Sequence, residues 1–527
     1  MKGVAMKAST RALLLPVIFG ACAWPRASNI PSPASGARGS KAALTRAIDS
    51  MVNATEFRSA NWGILIVDPL ANDTLYAYNA AKLFIPASNE KLVTTSVMLE
   101  QLGPDFRYHT TLGARGSISN GILNGDLAVI GRGDPTTSNH MKGDAMAPLR
   151  DIADSLWQRG IRHITGSVVA VGNAFPGPVA GAGWPWSSLD GSSFAGVDEL
   201  LFNEGLSVLH VRSGARVGDL ATVETRPART YPTVHVVAVT VPRDTAAAAR
   251  EARGGGRGGR GAGPGAFLSP RVSAYHDTLT SMVIVRGQIA LGDSANITLA
   301  QHDPDAAYVA ALAEALRDRG IAVDKPSGAI ADAGATLESG EQTDSLFTMV
   351  SVPLRDILPM ILKPSQNQIA EAFLRTIGLE RTGVGTADSA RQVVARQFTE
   401  WKIPSDGYVV RDGSGLSRED LISPETIVSI LDVMRRSPNF DLFFQSLPNA
   451  GVDGTIRTRM QNTPAQGNLH AKTGTLGMVR SLSGYVHTAD GRLLEFSILC
   501  NNWTTPQASV DQVADRIGVM LAELRLR

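Results

Sequence analysis

The chain has 527 residues, 43% of them hydrophobic and 19% charged, with a formal net charge of +1. That length exceeds what one hydrophobic core serves, so about three domains are expected, and the composition is that of a globular rather than a disordered protein. The near-neutral charge gives no electrostatic footprint for nucleic acid, and no apolar run of membrane-spanning length follows the N-terminal stretch.

Residues 1–23 read as an export signal. Lys2, Lys7 and Arg11 precede a short apolar stretch broken by Pro16, and Ala21 with Ala23 permits cleavage before Trp24. Gly20-Ala21-Cys22 also ends like a lipoprotein cleavage site, although Phe19 stands where Leu is usual, so removal is favoured over lipidation of Cys22. Either route, or an anchor that is never removed, places the chain in the periplasm or cell envelope. Residues 24–41 form a linker, rich in Ser, Pro, Gly and Ala. The other cysteine is Cys500, which then lacks an intrachain partner. This excludes a disulfide framework, a Cys-rich metal site and a Cys-x-x-Cys redox pair. Cys500 lies in the apolar run 496–500 and is expected to be a small buried hydrophobe.

An apolar run at 63–68, a turn, and an alternating stretch at 74–79 predict a hairpin. After Pro86 a helical pattern runs through Leu92, Val93, Met98 and Leu102 to Gly103-Pro104, with Ser88 and Lys91 in its first turn. Residues 121–299 hold many short β-like runs, one helix near 147–159 and a Gly/Arg run at Arg253–Gly261; a second helical pattern covers 308–319. Gly254, Gly256 and Gly259 satisfy a G-x-G-x-x-G pattern only because the run is mostly glycine, so a surface loop is expected, not a nucleotide site. A helix is predicted over 368–378, strands over 469–475, 479–486 and 493–501, and a last helix through Val510, Val513, Ile517, Met520 and Leu524. Ala489-Asp490-Gly491-Arg492 makes the turn between the last two strands. Strands at both ends imply one α/β domain built from the two termini, with the middle as an insertion.

Three motifs carry chemistry: Ser88-Asn89-Glu90-Lys91, Ser365-Gln366-Asn367 and Lys472-Thr473-Gly474-Thr475. Ser88 and Lys91, three apart at a helix start, share a face, and the helix N-terminus favours an alkoxide over a protonated amine. A lysine desolvated there can act as a base. Ser365 and Asn367 open a helix, where Ser or Asn also serve as plain caps, so a capping role and a functional role stay open together. In the functional role the Ser365 hydroxyl relays a proton to the leaving group and Asn367 bonds a substrate amide. Gly474 in a strand interior points to close approach by a ligand or another backbone, and Lys472 with the Thr hydroxyls suits a carboxylate. An edge strand with a protective Lys is the plain alternative.

The trio, in this order, resembles the motif set of serine β-lactamases and penicillin-binding proteins. The chain as a whole resembles the D-alanyl-D-alanine carboxypeptidases of peptidase family S13, the class C low-molecular-mass penicillin-binding proteins. Pro86-Ala87-Ser88, Gly131-Arg132-Gly133-Asp134-Pro135, Phe202-Asn203-Glu204, Asn367 with Ala370-Glu371, Arg411–Ser417 and Gly451–Thr455 carry that resemblance over about residues 42–525. The departures are the Gly/Arg run and the stretch 211–291. The resemblance implies an α/β penicillin-binding/β-lactamase-like serine transpeptidase fold, an antiparallel sheet flanked by helices, with large mostly β insertion domains. Residues 42–110 and 341–527 would form the catalytic domain. Residues 111–340 would form the insertion, with an inner domain at about 205–290 and a Gly/Arg-rich loop at 253–265.

By the same resemblance Ser88 is the nucleophile, Lys91 its base, and Ser365 and Asn367 complete the catalytic set. Lys472, Thr473, Gly474 and Thr475 bind substrate, and the backbone N–H groups of Ser88 and Thr475 form the oxyanion hole. The partners implied are peptidoglycan peptides ending in or cross-linked through D-alanine, with β-lactams as covalent inhibitors. No metal or organic cofactor is implied, and no membrane contact beyond a lipid on Cys22. Glu199-Leu200-Leu201-Phe202-Asn203 resembles the deacylating segment of class A β-lactamases but precedes both later motifs, which argues against fast β-lactam turnover. A non-catalytic cell-wall binding protein would need no nucleophile–base pair. A Ser-His-Asp hydrolase is disfavoured because no nucleophile elbow is present and none of the nine histidines sits in a catalytic motif. Ser414 lacks the elbow too and reads as a turn residue.

Overall fold

The computed structural model describes residues 40–243, 271–277, 282–329 and 343–526. The expected export signal with Cys22, nearly all of the linker, and the Gly/Arg run lie outside these residues.

The two ends of the chain build one five-stranded antiparallel sheet. Its strand order is His470–Leu476, Val479–His487, Leu493–Asn501, Asn61–Asp68, Asp73–Tyr78. The N- and C-terminal portions meet in its middle, where Asn61–Asp68 pairs with Leu493–Asn501 in a register that sets Ile64 opposite Ile498. Successive side chains of a strand face opposite ways. Leu494, Phe496, Ile498 and Cys500 therefore join one core with Trp62, Ile64 and Ile66. The helices Lys41–Val52 and Gln507–Glu523 cover that face through Leu44, Ile48, Ile517 and Leu521. Burial there pushes the Cys500 thiol pKa up, as fits a small apolar core residue.

The opposite face carries Tyr485 and Leu499 into a second core with the helices Glu90–Leu102, Leu354–Leu362, Asn367–Thr382, Ala387–Glu400 and Pro424–Arg436. Ser483 and Ser497 lie on this same face and hydrogen-bond each other at 3.0 Å. Asn89 Nδ2 donates to Ser483 Oγ at 2.6 Å, so a polar string pins the residue after Ser88 to the sheet.

Between these portions the chain makes one long excursion, closed where it began. His109–Ser119 pairs antiparallel with Asp344–Val350, His109 opposite Val350. These strands belong to a seven-stranded mixed sheet backed by the helices Ala147–Gln158 and Pro304–Arg319. Further out, Leu206–Arg212, Thr222–Arg226 and Ser294–Ala300 form a three-stranded sheet beside a four-stranded one built on Val283–Ala290. A separate small core of Leu209, Val211, Val283, Val285 and Ile289 holds them together.

Three local expectations shift. The helix expected over 368–378 runs over Asn367–Thr382, because Leu379 continues the buried face and Gly383 ends it in the left-handed region. Its cap is Gln366, whose side chain accepts from Ile369 N, and not Ser365 or Asn367. The helix expected from Tyr308 starts at Pro304, capped by Asp303, whose carboxylate accepts from Ala306 N. No helix among the described residues is long and apolar enough to cross a membrane.

If the sheet's buried face holds the termini together, Phe496→Ala costs about 3–5 kcal/mol, read as a fall in the urea midpoint. Leu70→Ala, in an exposed turn, stays within about 0.5 kcal/mol. Equal effects would contradict this packing account.

Candidate active site

Ser88 lies in a tight turn, Ala87–Asn89, that leads directly into the helix Glu90–Leu102. Ala87 has φ 48°, a left-handed conformation that costs energy for a residue with a Cβ. Two glycines press on this turn from either side. A Cβ at Gly474 would lie 2.5 Å from Pro86 O and 3.0 Å from Ser88 N, and one at Gly415 would lie 1.9 Å from Ala87 O. Only glycine permits backbones this close, so the expected close approach at Gly474 is made by the Ser88 turn itself. Ser481 Oγ also donates to Pro86 O at 2.7 Å.

Lys91 is fully buried beneath Ser88. Its Nζ donates to Ser88 Oγ at 2.9 Å, Asn367 Oδ1 at 2.7 Å and Ser414 O at 2.7 Å. An ammonium has three donors, and all three are engaged. Burial lowers the Lys91 pKa to about 7, against the opposing pull of the carboxylates of Asp412, Glu371, Glu90 and Asp420. Asn367 and the Ser414 carbonyl are acceptors only at these atoms. Loss of one proton therefore leaves two N–H bonds in place and turns the lone pair on Ser88.

Asn367 is fixed from the far side, where Nδ2 donates to Ser193 O at 3.0 Å. The sequence assigned it a substrate amide; here both ends of its amide are held by the protein. Ser365 has φ 66°, and its Oγ accepts from Lys472 Nζ at 2.9 Å. Lys472, also fully buried, donates in addition to Thr473 O at 2.8 Å. Burial first, and Lys91 second, hold its pKa well below the usual lysine range. Thr473 Oγ1 is 2.6 Å from Thr455 Oγ1, and Thr475 is exposed at the strand's end.

The loop Arg411–Ser417 is organised by carboxylates that no motif assigns a role. Glu371 accepts from Gly413 N and from Ser414 N, Asp420 from Arg411 N, and Asp412 from Gly415 N and Ser417 N. Burial raises the pKa of Glu371 to about 7 and that of Asp420 well above the carboxylate range. Ser414 thus contributes its carbonyl, while its hydroxyl is sealed in the interior. The carboxylate of Glu199 accepts from Ala174 N and Phe175 N, capping a turn of the excursion.

The excursion also forms a wall of the site. Trp184 Nε1 donates to Asp412 Oδ2 at 2.8 Å and Gln368 Nε2 to Gly196 O at 2.6 Å. Glu204 accepts from Gln366 Nε2 at 2.7 Å, which explains why Phe202-Asn203-Glu204 accompanies the second motif. Among the described residues the one His/carboxylate group within metal-binding reach, Asp190 with His276 and His302, shares no residue with this cluster.

The model of the D-Ala-D-Ala carboxypeptidase 3 (S13) family matches residues 44–254 and 269–524. A D-alanyl-D-alanine carboxypeptidase of Actinomadura sp. (strain R39) is 30% identical over 511 residues, covering 94% of this chain and 87% of the relative. The D-alanyl-D-alanine carboxypeptidase DacB of Haemophilus influenzae is 25% identical, covering 85% of this chain and 86% of its own. The crystal structure of penicillin-binding protein 4 from Haemophilus influenzae superposes with a TM-score of 0.74 at 22% identity, over 90% of this chain and 99% of that one. The fold is accordingly that of the penicillin-binding proteins, α/β with antiparallel sheet and flanking helices. Matched along nearly its whole length, with both inserted and terminal portions included, the chain belongs to the S13 family of D-Ala-D-Ala carboxypeptidases.

Proposed function

We propose that Ser88 is the acylated nucleophile of this enzyme and Lys91 its general base. The chain is a serine-type D-alanyl-D-alanine carboxypeptidase by family; the observation that carries the residue assignment is Lys91, buried, held by two acceptors and aimed at Ser88 Oγ from 2.9 Å. Neutral Lys91 takes the Ser88 proton as Oγ bonds to the carbonyl carbon of the penultimate D-alanine. The N–H groups of Ser88 and Thr475 take the oxyanion. As the C–N bond breaks, the proton passes to the departing amine through Ser365, and Lys91 returns to its neutral form. The terminal carboxylate favours the cationic form of Lys472, whose third donor, free of the two bonds inside the protein, turns to it, helped by Thr473 and Thr475 beside Gly474. Water then hydrolyses the ester on Ser88, its proton drawn off by Lys91, and serine is regenerated. Asn367 acts here on Lys91, holding two positions of its nitrogen fixed with the Ser414 carbonyl.

Substrates are peptidoglycan stem peptides ending in D-Ala-D-Ala and, by the same acyl transfer, D-alanyl cross-links between peptides. β-Lactams acylate Ser88 as mimics of that end. Residues 42–110 and 341–527 act as the catalytic domain, with 111–340 inserted and its inner part at about 205–290, a division supported by the sheet that joins the two ends. The site of action is the periplasm or cell envelope, reached through cleavage before Trp24 or through a lipid on Cys22.

Ser88→Ala should abolish both D-alanine release from diacetyl-Lys-D-Ala-D-Ala and covalent labelling by a fluorescent penicillin; labelling that persists assigns the nucleophile elsewhere. The base works when neutral, so acylation should rise with pH through about 7 and level off above it. Lys91→Ala should lower the acylation rate by about 10²–10⁴ and remove that step from the profile. Gly474→Ala should cut acylation at least about tenfold and also lower the melting temperature, since its Cβ meets Ser481 Oγ and the backbone of the Ser88 turn; wild-type rates would show that the turn tolerates displacement.

A further inference from the structure

A second convergence of reactive side chains lies in the excursion, and the chemistry at Ser88 does not use it. Asp190 lies between Trp184 and Ser193, the two contacts that join this segment to the active site. His276 ends the strand Arg271–His276, and His302 follows the strand Ser294–Ala300. Each offers one ligand atom, and the three atoms lie within 4.8 Å of one another. His276 Nδ1 is 2.7 Å and His302 Nε2 3.1 Å from the same oxygen, Asp190 Oδ1. The two rings stack, with centroids 3.7 Å apart and planes 20° from parallel. The cluster borders a cavity of about 620 Å³, which Trp186, Tyr275 and Ile284 also line.

An ordinary ion pair does not require this arrangement. One imidazole satisfies Asp190, and a second brings another nitrogen close to the same oxygen, from where a small turn of the His302 ring out of the stack lets both nitrogens face one ion. The two nitrogens lie 2.7 and 3.1 Å from Asp190 Oδ1, slightly inside the about 3.3–3.6 Å expected between donors around a four-coordinate ion bound at about 2.0–2.2 Å. Two imidazoles and a carboxylate are a ligand set for zinc, and with one further position toward the cavity they complete a four-coordinate shell. His276 is largely buried and Asp190 partly so, while His302 is exposed on the side open to the cavity. The three residues come from separate segments with no short-range spacing, so no sequence motif announces them.

We propose that Asp190, His276 and His302 form a binding site for a zinc-class divalent cation, which clips the active-site wall carrying Trp184 and Ser193 to the β-rich inserted sheets. The site stands independently of any role for Ser88.

The test uses the untagged full-length chain, stripped with chelator and titrated with Co²⁺, read by visible absorption, and with Zn²⁺, read by calorimetry. Wild type should bind one ion per chain, and Zn²⁺ should raise its melting temperature. His276→Ala and His302→Ala should each weaken binding at least about tenfold and lose the thermal shift, while their metal-free melting temperatures stay near wild type. Should either fail to fold, Asp190→Asn keeps the side-chain shape and should weaken binding in the same way. Absence of binding in wild type, or equal affinity in wild type and variants, overturns the site.

Discussion

The buried amine of Lys91 is the constraint on which the rest of the site depends. A lysine taken wholly out of water loses hydration that only close partners can replace, so its charged form is disfavoured. Here the partners divide into two kinds. Asn367 Oδ1, Ser414 O and Ser88 Oγ hydrogen-bond the nitrogen directly. The carboxylates of Asp412, Glu371, Glu90 and Asp420 act on it through space and favour the cation. Desolvation outweighs them and leaves the pKa near 7, where the amine can both accept and release a proton at neutral pH. Stronger acid support would fix it as a cation; weaker support would leave it unable to hold the proton it takes.

That balance demands rigid surroundings, because the acceptors come from three distant stretches of chain. The Ser414 carbonyl is aimed by Glu371, which grips the loop through Gly413 N and Ser414 N. Asn367 is aimed by Ser193 O from the excursion. Ser88 is aimed by a turn squeezed between Gly415 and Gly474, with Ala87 kept in a left-handed conformation. A strained alanine persists only where its neighbours over-determine it, and here the backbone of the Arg411–Ser417 loop and the sheet edge strand do so together.

Much of this was legible in the sequence where the signals are local. The Ser88–Lys91 spacing at a helix start needs only one turn of helix to bring the side chains together. The strand Leu493–Asn501 matches its expected bounds because its apolar run and Asp490-Gly491 turn are contained in a few residues. What failed to show was tertiary. Ser365 reads as a cap or a functional hydroxyl alike, and only the folded chain separates the two, since Gln366 takes the cap and leaves the Ser365 hydroxyl to Lys472. Glu371, in the second turn of its helix, belongs to a segment that carries the family resemblance, but its hold on Gly413 N and Ser414 N exists only once that loop is folded against it. Trp184 and Ser193 lie in a loop whose sequence says nothing of Asp412 or Asn367.

The excursion therefore does more than decorate the catalytic sheet. Asn367 connects Lys91 to Ser193 O, and Trp184 connects the same segment to Asp412, one of the charges that sets the proton affinity of Lys91. Displacement of that segment would withdraw one restraint on the Asn367 amide and one hydrogen bond from Asp412 at once. Both changes reach Lys91 through atoms already in contact with it or with its supporting loop. The surroundings of Lys91 are thus set partly by Ser193, 174 positions from the Asn367 it holds, and the excursion and the terminal portions build one site together.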